Sequence, residues 1–63
     1  MKYIVNLRVE TYSGVSAELH SVTARNTKAA ENAAAAKALR KHGSDNVIEI
    51  FIVSVTEVDH AVA

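Results

Sequence analysis

Cysteine, proline and tryptophan are all absent from this 63-residue chain, and glycine occurs only twice. Without cysteine, neither a disulfide framework nor a thiolate zinc site can brace the fold. Two glycines, Gly14 and Gly43, are too few for a phosphate-cradling loop. The aromatics are Tyr3, Tyr12 and Phe51 alone, a thin platform for stacking bases. Neither sign of charge dominates, since seven basic residues balance seven acidic ones, which argues against a general nucleic-acid binder. No apolar run reaches membrane-spanning length, and Asn6 and Arg8 interrupt Tyr3 to Val9 too much for a signal peptide. No membrane association is therefore expected, and a cytoplasmic location is.

What remains is an ordinary globular balance, 49% hydrophobic and 22% charged. Eleven of the hydrophobic residues are alanine, which leaves few large side chains for a core. A chain this short buries roughly 60% of its unfolded surface and is marginal alone. A partner subunit becomes the expected brace.

The first run, Met1 to Glu10, alternates Tyr3, Val5, Leu7 and Val9 with mostly polar residues, the period-two pattern of a half-buried strand. Thr11-Tyr12-Ser13-Gly14 is turn material. A second strand runs from Val15 to about Arg25. Its phase changes, because Val15, Ala17 and Leu19 share one parity while Val22 and Ala24 share the other. A bulge near His20-Ser21 is the expected reconciliation. Asn26-Thr27 offers an N-cap, Lys28 to His42 is rich in strong helix formers, and Gly43 is placed to close the helix. In the last run, Val47 to Val58, Ile48, Ile50 and Ile52 point one way and Phe51, Val53 and Val55 the other. The tail 59–63 is expected to be loosely held. The expectation is a single α+β domain over residues 1–63: a ββαβ fold with an antiparallel sheet in the order 2-1-3 and the helix on one face.

On a helical wheel, Ala29, Asn32, Ala33, Ala36 and Leu39 gather on one side, the expected core face. Ala30, Ala34 and Ala38 form an opposite row, read either as a solvated face or as a close contact with a partner. Residues 27–42 carry Lys28, Lys37, Arg40 and Lys41 against Glu31, and the rest of the chain has a compensating acidic excess. Lys37, Arg40 and Lys41 are the candidates for phosphate, although cations also suit the last turns of a helix. Glu10, Glu18, Glu49 and Glu57, together with Asp59, are candidates for a basic partner surface or for guarding strand edges.

Residues for catalysis do not assemble. His20, His42 and His60 lie in three different segments with no metal-ligand spacing, and each is read as a surface histidine. No glycine-rich elbow presents a nucleophile to a base. The chain lacks the N-terminal proline of the small tautomerases and the cysteine pair of the metallochaperones. Neither an enzyme nor a cofactor or metal is expected.

The stretch Ser21-Val22-Thr23-Ala24-Arg25-Asn26-Thr27-Lys28-Ala29-Ala30, continuing through Gly43 to Ile48-Glu49-Ile50, resembles small proteins of bacteriophages and prophages. Some of those are anti-CRISPR inhibitors with a helix on a short antiparallel sheet. The same segment order is similar to the archaeal ribosomal LX family, from which this neutral chain departs in lacking a basic excess. The phage resemblance implies a binding protein that occludes a partner's surface, with a host defence complex as the implied partner. The alternative is a nucleic-acid-binding or ribosome-associated module using Lys37, Arg40 and Lys41. A sheet apolar on both faces with a single helix also predicts a homodimer. Ile4, Phe51, Val53 and Val55 form its expected contact, made by pairing third strands or by stacking open faces.

Overall fold

The alternation in the first run forms strand β1 (Lys2–Thr11), the second run strand β2 (Gly14–Thr23), the alanine-rich segment helix α1 (Thr27–His42), and the isoleucine-rich run strand β3 (Val47–Val58). The computed structural model describes residues 1–58. The expected loose tail, with Asp59 and His60, lies outside the described residues. The sheet is antiparallel in the order β2-β1-β3 and is not closed, which is the expected ββαβ α+β fold.

Local chemistry sets the turns. The Thr11 hydroxyl donates to the Gly14 carbonyl at 2.9 Å and accepts from the Ser13 amide at 3.2 Å. Gly14 follows at φ +138°, where a side chain is strained. The Tyr12 amide donates to the Asn46 carbonyl at 3.2 Å, which ties the hairpin tip to the loop entering β3. At the helix start, Asn26 Oδ1 accepts from the Ala29 amide at 2.8 Å. At its end, the Gly43 amide donates to the Leu39 carbonyl at 2.8 Å with φ +85°.

The core lies between α1 and the central strand. Tyr3, Val5, Leu7 and Val9 are fully buried beneath Ala30, Ala34 and Ala38, with Val22 beside them. The alanine row that the wheel placed opposite the core is therefore the core contact itself, and its reading as a solvated or partner-facing row is overturned. Asn32, Ala36 and Leu39 are exposed instead, and Ala29 and Ala33 are half-buried. A wheel of near-identical alanines has little direction of its own. The sheet decides: the 30-34-38 row is methyl throughout and shares one buried cluster with Tyr3, Val5, Leu7 and Val9, whereas the other side would have buried the amide of Asn32.

Two further expectations change, both through strand register. The β1·β2 ladder runs unbroken from Lys2↔Thr23 to Thr11↔Gly14, so there is no bulge at His20-Ser21. Instead Ser16, Glu18 and His20 share the helix side with Val22, while Val15, Ala17 and Leu19 face away. The change of apolar phase in β2 is a change of side-chain polarity on a regular backbone.

In β3 the irregularities are real. The β1·β3 register shifts between Asn6 and Leu7 and again between Glu10 and Thr11, which leaves Val53 and Ile48 as the extra residues. Val47, Ile50, Ile52 and Val55 consequently all pack against the core. Val55 was expected on the open face; the bulge at Val53 turns it inward. Ile48, which simple alternation places on the same side as Ile50 and Ile52, is 51% exposed.

Candidate functional site

The sheet face away from α1 carries Ile4, Asn6, Arg8 and Glu10 from β1, flanked in register by Ser21, Leu19, Ala17 and Val15 of β2. On the other flank stand Thr56, Ser54, Phe51 and Glu49 of β3. Val15 is 65% exposed, Leu19 70%, Phe51 47% and Val53 56%. Arg8, Glu10, Val15, Phe51 and Val53 line an open depression of about 400 Å³. Two side chains of opposite charge, Arg8 and Glu10, thus sit among apolar ones on the central strand of an uncovered sheet face. Three of the four residues expected at a contact, Ile4, Phe51 and Val53, lie on this face; Val55 does not. Glu10 and Glu49, paired across β1 and β3, belong to it too. Glu57 pairs with Tyr3 and is exposed at the far end of the helix side.

Glu18 behaves differently from the other acids. It was expected at a partner surface, yet it is buried beneath the C-terminal end of α1. Its Oε1 pairs with His20 Nε2 at 2.9 Å. Its Oε2 accepts from the Ser16 hydroxyl at 3.1 Å, pairs with His42 Nε2, and lies 3.5 Å from Lys41 Nζ. Burial pushes this carboxyl up, but the hydrogen bonds from His42, His20 and Ser16 and the charge of His42 outweigh it, holding Glu18 at about 2.

The two histidines read as separate surface residues therefore meet on one carboxylate. The signal for this in the sequence is the i, i+2 spacing of Glu18 and His20 on one strand face, with a third polar group, Ser16, in the same phase. His42 joins through the crossover and is invisible to local pattern. With four donors around its two oxygens, the carboxylate is an electrostatic strut between β2 and the helix end. His42 and Ser16 also border a shallow cleft of about 320 Å³ with Thr11, Ser13, Gly14, Val15 and Asn46.

The three candidate phosphate ligands do not act together. Lys37 Nζ donates to the Ser21 carbonyl at 2.9 Å, Lys41 is paired with Glu18, and Arg40 is exposed. Among the described residues, no group of three or more His, Cys, Asp or Glu side chains is arranged to hold a metal ion. No described helix is long and apolar enough to cross a membrane. Comparison with protein-family models, with curated proteins and with solved structures finds no match for this chain.

Proposed function

We propose that this protein is a non-enzymatic interaction module that lays its open sheet face against another protein and occludes that partner's surface. The observation that supports this reading is the exposure of Val15, Leu19, Phe51 and Val53 around Arg8 and Glu10 on one face. Exposed apolar side chains grouped on one face, with an arginine among them, suit a protein contact better than a solvated surface. The polar cluster around Glu18, by contrast, spends its hydrogen bonds on the fold. The sequence resemblance to phage inhibitors makes a cytoplasmic defence complex of the host the partner class within this reading.

The test is capture from a bacterial lysate with wild-type protein and with Leu19→Asp and Val15→Asp, two exposed positions outside the core. A protein retained by wild type and released by both variants supports the reading. Equal retention by all three contradicts it. The nucleic-acid alternative has its own signature. Captured nucleic acid, with an affinity that falls steeply with salt and disappears when Lys37, Arg40 and Lys41 are neutralised, favours that reading.

A further inference from the structure

The two edges of this sheet are not alike. The Ala24 amide donates to the Met1 carbonyl, so the odd residues of β1 exchange hydrogen bonds with β2 and the even ones with β3. The outward backbone groups of β2 therefore belong to Val15, Ala17, Leu19, Ser21 and Thr23. One of them is already taken, because Lys37 reaches from the helix to the Ser21 carbonyl and sets a cation over that edge. On β3 the outward groups include those of Ile50 and Val55, since Glu49, Phe51, Ser54 and Thr56 pair with β1. Residues 47–58 contain no proline, lysine or arginine, the usual guards of a free edge.

The bulge at Val53 has a particular effect on self-pairing. In a regular strand, a two-fold antiparallel pair matches only residues of equal parity. In β3, parity reverses at Val53, so Ile50 and Val55 share the helix side while Phe51 and Ser54 share the open side. Turning one β3 onto another about a dyad between Ile52 and Val53 sets Ile50 against Val55 of the second copy, Phe51 against Ser54, and Glu49 against Thr56. Every one of these pairs has matching faces, and Ile50 and Val55 both offer outward backbone groups. The same register spans Val47 to Val58, with faces matched from Glu49 to Thr56 on either side of the central Ile52 and Val53, and mismatched at Val47 and Val58, where the second shift at Ile48 reverses parity again. It also keeps Glu49 and Glu57 away from one another, whereas a dyad on Val53 would oppose them and mismatch the faces. A dyad on Phe51 also matches faces, at Ile50 with Ile52, Glu49 with Val53 and Val47 with Val55, but it leaves Thr56, Glu57 and Val58 without a strand residue opposite them.

From this coincidence of an edge free of lysine, arginine and proline with a strand whose faces match across its bulge at Val53, we infer that β3 pairs with β3 of a second copy. The product is a continuous six-stranded sheet with both helices on one face. The inference concerns an edge and not the open face, so it stands or falls separately from the proposed function.

The experiment uses the absence of cysteine. Full-length chains carrying Glu49→Cys or Thr56→Cys, both at exposed positions, are oxidised separately and then as an equimolar mixture. The register brings residue 49 of one copy opposite residue 56 of the other, in a non-hydrogen-bonded pair whose separation suits a disulfide. The expected result is a covalent dimer in the mixture and none in either single variant. Sedimentation equilibrium of wild type at micromolar concentration should give twice 6.8 kDa. Val53→Lys, which brings two ammonium groups together at the dyad, should give a folded monomer by sedimentation and circular dichroism. Leu19→Asp should leave the dimer intact. Crosslinking within either single variant, no crosslink in the mixture, or a monomeric wild type would each overturn the pairing. A monomeric wild type would also leave the β3 edge open to a strand from another protein.

Discussion

The two outer strands solve the same problem in opposite ways. β2 keeps a regular ladder and places Ser16, Glu18 and His20 on the inner side, where the end of the helix supplies His42 and Lys41. β3 keeps apolar side chains on the inner side and interrupts its ladder twice to do so, at Ile48 and Val53. In the sequence β2 shows a change of apolar phase, and β3 is apolar in both phases. In β2 the cause is a buried polar cluster; in β3 it is an extra residue. A shift of hydrophobic parity alone therefore does not identify a bulge, and polar residues at i and i+2 opposite a basic helix end should be read as a cluster first.

The largest effect is expected at Glu18. Glu18→Ala should destabilise the protein by about 3 kcal/mol, because it removes the carboxylate that His20, His42 and Lys41 share. Urea denaturation of wild type and variant measures the loss, and Glu49→Ala on β3 should change stability by less than about 0.5 kcal/mol. A smaller but still large effect is expected beneath the helix. Ala34→Leu should cost roughly 1–3 kcal/mol by overpacking against the buried β1 side chains, whereas Ala36→Leu at an exposed position should be near neutral. If the two costs were reversed, the helix orientation would be wrong.

Acid sharpens the same contrast. Glu18 titrates at about 2 in the fold against an ordinary 4.5, so its contribution is fully present above about pH 4.5 and is lost as pH falls toward 2. The expected loss is about 3 kcal/mol over that window. Replacing Glu18 by Gln should flatten stability there, as followed by thermal melting across the pH range. The smallest effect belongs to Lys37→Ala, which should cost less than about 1 kcal/mol as an exposed contact. It should nevertheless raise the tendency of the protein to self-associate through β2, detectable by light scattering at high concentration.

How far the sequence disclosed this molecule depends on the element. Strand order, hairpin, N-cap and C-cap were all legible, because alternation, Asn26 and Gly43 are local signals. The open-face positions of Ile4, Phe51 and Val53 were legible from parity up to the point where the Val53 bulge reversed it and carried Val55 inward. The helix face was not legible, since interchangeable alanines give no direction and the choice belongs to the large side chains of β1. Glu18 with His42 was not legible either. They are 24 residues apart, and only the crossover brings them together.

The difference between the outer strands is tested most directly by amide hydrogen exchange, read residue by residue by NMR at micromolar-to-millimolar concentration. The outward amides of Ala17 and Leu19 on β2 should exchange rapidly. Those of Ile50 and Val55 on β3 should be protected in wild type and should become as fast as the β2 pair in Val53→Lys. Rapid exchange at Ile50 and Val55 in the wild-type protein, matching Ala17 and Leu19 at every concentration, would contradict the account.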